Sequence, residues 1–210
     1  MEKRCIIISG GAYDEALRPE EDDFVIACDK GYEYARRMGV RPDLLIADFD
    51  SYRGDVAGDI EVLRYPCEKD DTDTMAAVKY AVREGCEEIC LLCALGGRVD
   101  HMYANLQAAQ YAARRNVRTS ILSDSTRILF LHNGEMVLRR EEGYSLSVFS
   151  FSDVSRGVSI SGTKYEVKDA ELTSDFPIGQ SNEWQADSVR IGVREGTLMI
   201  VESRLENTGT

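Results

Sequence analysis

The chain is sparing with several residue types. Its 210 residues include 4 prolines, 2 histidines and 1 tryptophan. So little proline excludes a proline-rich or collagen-like polymer. Two histidines are too few for the histidine-built metal centres of many hydrolases. No apolar stretch approaches the roughly 20 residues of a membrane span. Met1-Glu2-Lys3-Arg4 passes directly into Cys5-Ile6-Ile7-Ile8, an apolar run too short for the core of a signal peptide. Positive charge is also in short supply: 25 Lys and Arg stand against 37 Asp and Glu, a net charge of -12. Such a surface repels nucleic acid and anionic membranes, so neither is expected as a partner. The G-x-x-x-x-G-K-[ST] phosphate loop is missing, and Ser9-Gly10-Gly11-Ala12 is only a weak glycine-rich turn.

Cysteine is more plentiful, at positions 5, 28, 67, 86, 90 and 93. Most lie inside aliphatic runs and read as small core residues. Cys90-x-x-Cys93 falls in a buried-strand pattern and lacks a second ligand pair, so no metal or redox role is assigned to it. A reducing cytoplasm is the expected location.

A composition 43% hydrophobic and 30% charged belongs to an ordinary globular protein. The first half alternates short aliphatic runs with helix-period segments. Strands are expected at Cys5–Ser9, Phe24–Cys28, Leu44–Ala47, Val62–Tyr65, Glu88–Ala94 and Thr119–Leu122. Helices are expected over Asp73–Glu84, with Met75, Val78 and Val82 inward, and over His101–Arg115, with Leu106, Ala109 and Ala113 in register. This is the pattern of a Rossmann-like parallel sheet with flanking helices.

Beyond about residue 127 helix formers give way to short alternating runs: Ile128–His132, Glu135–Arg139, Tyr144–Phe149, Val154–Ser161, Tyr165–Leu172, Ser188–Val193 and Thr197–Ser203. His132-Asn133-Gly134-Glu135 and Arg194-Glu195-Gly196-Thr197 read as hairpin turns. The expectation is an α/β domain over 1–126 and an all-β sandwich over 127–210.

Three acidic clusters each follow an expected strand. Asp48-Phe49-Asp50-Ser51 would direct two carboxylates to one side. Lys69-Asp70-Asp71-Thr72-Asp73-Thr74 precedes a helix, where one Thr or Asp can serve as a cap but three aspartates exceed that need. Gly96-Gly97-Arg98-Val99-Asp100-His101 offers close backbone approach, a guanidinium fork and another carboxylate. Ligands of open α/β sheets bind beyond the carboxyl ends of the strands, so all three clusters would converge there. Mg2+ takes a few carboxylates together with water and substrate phosphates, and this inventory suits a metal-bound nucleotide.

These segments, with Ala27-Cys28-Asp29-Lys30-Gly31 before them and Gly162-Thr163-Lys164-Tyr165 and Ser181-Asn182-Glu183 after them, resemble in order the motifs of the thiamine pyrophosphokinase family over essentially the whole chain. The chain has Ala47 where the family commonly has Gly, and Thr163-Lys164-Tyr165 where Leu-Lys-Tyr or Leu-Lys-Trp is common.

The resemblance implies a homodimer with active sites between the N-terminal domain of one subunit and the C-terminal domain of the other. It implies ATP as co-substrate and Mg2+ as cofactor. Asp48, Asp50, Asp73 and Asp100 would hold Mg2+ and the phosphates, with Asp29 nearby and Thr72 and Arg98 on the ligand. Ser181, with Asn182 close by, would contact thiamine. Lys69, Asp71 and His101 are further candidates for the nucleotide. An aromatic wall would attract cationic thiamine, with Trp184 one candidate and Tyr165 another.

The expected reaction is transfer of a diphosphate from ATP to the thiamine hydroxyl. A pterin-alcohol diphosphokinase, a metal-dependent phosphohydrolase and a non-catalytic nucleotide or thiamine sensor are the alternatives.

Overall fold

The structure is a computed structural model that describes residues 3–47, 60–64 and 71–205. The chain divides into two compact units, Met1–Asp124 and Ser125–Thr210. That division falls two residues before the boundary expected from the change of sequence style.

In the first unit β1 (Arg4–Ile8), β2 (Phe24–Cys28), β3 (Leu44–Ala47), β4 (Glu61–Arg64), β5 (Glu88–Leu92) and β6 (Arg118–Ser123) form a parallel sheet ordered β6-β5-β1-β2-β3-β4. β1, β2, β3 and β5 are buried almost end to end, as expected where both sheet faces are covered. Between them run α1 (Gly31–Met38), α2 (Asp73–Arg83) and α3 (Val99–Ala113). Ile6, Ile8 and Val25 meet Ala35 and Met38 of α1 on one face. Phe24, one residue from Val25, points to the opposite face and stacks on Tyr80 of α2.

The inward stripes differ from the sequence expectation. α2 buries Thr74, Ala77, Val78 and Ala81, and Met75 and Val82 lie at the edge. α3 buries Asn105, Ala108, Ala109, Ala112 and Ala113, with Leu106 half-buried. Small alanines let the helices lie close to the sheet and to each other, so the larger residues are displaced to the margins. α3 also begins two residues earlier than expected.

The second unit holds β7 (Thr126–Arg139), β8 (Tyr144–Ser150), β9 (Val154–Ser161), β10 (Val167–Thr173) and β11 (Ser188–Arg204), all antiparallel. The two expected hairpin turns are absent. β7 runs through Asn133-Gly134 and β11 runs through Glu195-Gly196, and the two stretches face each other in an irregularity. There four steps along β11, Val193 to Thr197, match two along β7, Gly134 to His132. The Asn133 side chain holds the offset, its Oδ1 accepting from Gly196 N at 2.8 Å.

The offset changes which side chains point inward. Val189, Ile191 and Val193 are buried before it, and Leu198, Ile200 and Glu202 after it. The partner changes too: β9 pairs with Arg190–Glu195 and β8 with Leu198–Arg204. One long strand thus serves two layers, a device for turning a sandwich corner. Their shared core includes Leu146, Val148, Ile160, Trp184, Ile191 and Leu198.

Candidate active site

The connections from β1 and β5 leave in opposite directions, since β1 leads to β2 on one side and β5 to β6 on the other. Such a reversal opens a crevice at the carboxyl ends of the two strands. Its walls are bonded together: Gly11 N donates to Cys93 O at 2.7 Å and Ala12 N to Leu95 O at 2.8 Å. A Cβ on Gly11 would stand 2.7 Å from both Cys93 O and Leu95 O, so this glycine serves close backbone packing. Asn105 of α3 closes the far side, its Nδ2 donating to Ala94 O at 2.8 Å.

The first turn of α2 is anchored at the same edge. Ser9 Oγ and Thr74 Oγ1 lie 3.1 Å apart and buried, and Cys28 Sγ lies 3.6 Å from Asp73 O. Thr72 caps the helix, its Oγ1 accepting from Met75 N at 3.1 Å. Asp73 is therefore the first helical residue, at the positive end of α2. Asp29 directly follows β2, with its N donating to Ile46 O at 3.0 Å. Asp29, Thr72, Asp73, Arg98 and the first turn of α3 with Asp100 and His101 all lie at the carboxyl-end edge of the sheet. Asp48, Asp50 and Lys69 lie outside the described residues, and Ala47 is the last described residue of β3.

Within this group several side chains already have partners. Arg98 grips Asp100 in a two-point pair, Nη2 to Oδ2 at 2.5 Å and Nε to Oδ1 at 3.1 Å, and both are largely exposed. The hydrogen bond from Arg98 holds the Asp100 carboxyl below its usual range. Asp100 does not cap α3; its Oδ1 accepts from the adjacent His101 N, and the His101 side chain is exposed. Asp71 is bound by Lys79 two turns along α2, at 2.7 and 2.8 Å. The sequence pattern gives little cue to that pairing, because Lys79 reads as one exposed charge among several. Gly97 has φ +72 and open space where a Cβ would be, whereas a Cβ on Gly96 would strike Ala12 Cβ at 2.7 Å. Gly96 thus serves packing, and Gly97 leaves the loop backbone bare to solvent.

Apart from the His101 imidazole, the donors of this group are oxygens. Cys5, Cys28, Cys86, Cys90 and Cys93 are buried thiols, none of them in a disulfide. Burial pushes the Cys90 thiol up to about 12 and the Cys93 thiol up to about 11, so both stay protonated at neutral pH. Among the described residues no group of three His, Cys, Asp or Glu converges as a ready-made cage. Separate carboxylates beside a helix N-terminus fit a hard cation that keeps waters and substrate phosphates in its shell, as Mg2+ does.

In the second unit Ser181 is exposed in a left-handed conformation, φ 55, with its N donating to Ser147 Oγ at 2.9 Å. Trp184 is 8% exposed and packs in the core of the unit, whereas Tyr165 is 65% exposed. Of these two candidates, the one presented to solvent is thus Tyr165. Asn182 is buried, its side chain committed to protein backbone.

The family of the thiamin pyrophosphokinase catalytic domain matches residues 18–121, and that of the thiamin pyrophosphokinase vitamin B1 binding domain matches residues 135–198. Thiamine pyrophosphokinase of Bacillus subtilis strain 168 is 25% identical over 190 residues, covering 88% of this chain and 89% of its own. The crystal structure of a Bacillus subtilis thiamine pyrophosphokinase superposes with a TM-score of 0.87 at 23% identity, over 96% of this chain and 99% of that one. The enzyme of Geobacillus thermodenitrificans gives 0.85 at 25% identity, over 97% and 99%. Yeast thiamin pyrophosphokinase shares the fold at 12% identity with a TM-score of 0.74, over 99% and 88%.

Proposed function

The chain belongs to the thiamin pyrophosphokinase family, and from that premise we infer that it is an enzyme that transfers a diphosphate from ATP to the hydroxyl of thiamine. The observation that carries this reading is the pair of family matches, catalytic domain then vitamin B1 binding domain, one on each unit. The acidic edge of the first unit supports it from the chemistry of its own residues.

In this reaction the thiamine oxygen attacks the β-phosphorus of ATP in line. A new O–P bond forms, the bridge between the α- and β-phosphates breaks, the hydroxyl proton departs and AMP leaves. Little covalent chemistry falls to the protein, and positioning and charge compensation dominate. The first unit takes the nucleotide, with the α2 N-terminus at Thr72 and Asp73 as an anion seat and Arg98 as a fork for phosphate oxygens. Lys69, Asp71, Asp29 and His101 belong to the same proposal as nucleotide contacts. Mg2+ would be held by Asp48, Asp50, Asp73 and Asp100, and when bound it offsets the negative charge of the phosphates. The second unit takes thiamine, with Ser181 beside it and the exposed Tyr165 ring as the aromatic wall.

A homodimer and a cytoplasmic location complete the proposal. No helix among the described residues is long and apolar enough to cross a membrane. The reaction is tested by separating nucleotides and thiamine esters after incubation with ATP, Mg2+ and thiamine. A pterin alcohol or water as acceptor would leave thiamine unchanged.

A further inference from the structure

Tyr165 lies between β9 and β10, outside either strand, so no ladder serves its backbone. The Asn182 side chain does so instead. Its Oδ1 accepts from Tyr165 N at 3.0 Å, and its Nδ2 donates to Tyr165 O at 2.8 Å. A primary amide offers the donor and acceptor that a neighbouring strand's peptide group would offer, and here it replaces one.

Asn182 is itself fixed. Its N donates to Leu146 O at 2.7 Å, its O accepts from Leu146 N at 3.1 Å, and its Oδ1 takes a second hydrogen bond from Glu183 N at 3.0 Å. It is 9% exposed, against 65% for Tyr165. Next to it, Lys164 N donates to Glu183 O at 2.9 Å and Thr163 pairs with Trp184. The Lys164 ammonium lies 5.6 Å from the Tyr165 ring centroid, within the range where an aromatic face attracts positive charge.

We propose that Asn182 is a positioning residue that clamps the backbone of Tyr165 and thereby sets the aromatic wall of the thiamine site, without touching thiamine itself. The proposal rests on the diphosphokinase reading for its ligand, and on the two-sided amide contact for its geometry. It moves Asn182 from the ligand to the frame that presents the ligand's contact. Asparagine suits the task because aspartate cannot donate to Tyr165 O.

The test is a double-mutant cycle on the full chain, reading KM for thiamine and for ATP separately. Tyr165→Ala is expected to raise the thiamine KM about tenfold, the scale of a partly desolvated cation-π contact. Asn182→Ala should raise it by a similar factor. Both variants should leave the ATP KM unchanged, and the double variant should be no worse than Tyr165→Ala alone. Asn182→Asp, which keeps the acceptor and loses the donor, should fall between wild type and Asn182→Ala; it also serves if the alanine variant fails to fold.

Effects that multiply in the double variant, or a thiamine KM unmoved by Asn182→Ala, would overturn the proposal. Amide hydrogen exchange separates this claim from the function it rests on. The Tyr165 amide should exchange faster in Asn182→Ala whatever the reaction turns out to be, and unchanged exchange would refute the clamp itself. A wild-type protein that makes no thiamine diphosphate would instead refute the functional reading.

Discussion

Arg98 and Asp100, which the proposed function places on the nucleotide and on its metal, are bound to each other at 2.5 Å. An incoming phosphate and its cation would replace that pair with one partner each, Arg98 to oxygen and Asp100 to metal. Neither residue would move from an uncompensated state.

This exchange predicts how the two behave when altered. Arg98→Ala and Asp100→Asn should each lower kcat/KM for ATP by about 100-fold, the usual effect of losing one charge-stabilising group. The melting temperature should stay within about 2 °C, because an exposed pair adds little to folding. The acid side of the pH profile gives a sharper check. The hydrogen bond from Arg98 depresses the Asp100 carboxyl, so Asp100 stays ionised at and above the usual carboxylate range and loses its charge only below it. In Arg98→Ala the acid limb of kcat/KM for ATP should therefore move to higher pH.

Thr72 and Asp73 are adjacent but should separate cleanly by measurement. Thr72→Ala removes the acceptor for Met75 N and should cost about 1 kcal/mol of stability by denaturant unfolding. Asp73→Asn should keep the fold, at a cost below about 1 kcal/mol for the weakened helix dipole contact. Its transfer activity should nonetheless fall by about 100-fold or more. A fully active Asp73→Asn protein would remove that carboxylate from the metal site.

How far the sequence discloses this arrangement depends on the range of the interaction. The strand ends and the acidic edge are local features: an aliphatic run, then a glycine or carboxylate, and parallel order gathers all such ends on one side. The paired offset at Asn133-Gly134 and Glu195-Gly196 is not local. A bulge draws on the same residues as a hairpin, here with Asn133 at φ 45 and Gly196 at φ 117, and only the partner strand tells them apart. Trp184 and Tyr165 show the same limit. Both are aromatics in a β-rich stretch, and the Thr163 to Trp184 bridge that turns Trp184 inward spans too many residues to be read from spacing. The roles of Asp48, Asp50 and Lys69 rest on sequence alone, since these residues lie outside the described ones.

Glu202 offers a test in the second unit, away from the proposed chemistry. The altered register after the β11 offset turns it inward to 1% exposure, with Arg127 as its ion-pair partner at 3.1 Å. Neither carboxylate oxygen has a well-aligned hydrogen-bond donor. Burial raises its pKa above the ordinary 4.5, and the pull of Arg127 only partly opposes this. The folded state then holds the proton more tightly than the unfolded one, so Glu202 costs stability as pH rises from 4.5 through the folded value. Glu202→Gln should melt at or above the wild-type temperature at pH 7, with the gap narrowing toward pH 4.5. A variant that melts lower at pH 7 would show that the Arg127 pair outweighs the desolvation.

The reaction itself is the most direct test. Purified protein incubated with ATP, Mg2+ and thiamine should yield AMP and thiamine diphosphate in equal amounts, and chelation of the metal should abolish both. ADP or free phosphate with thiamine left unchanged would contradict the account.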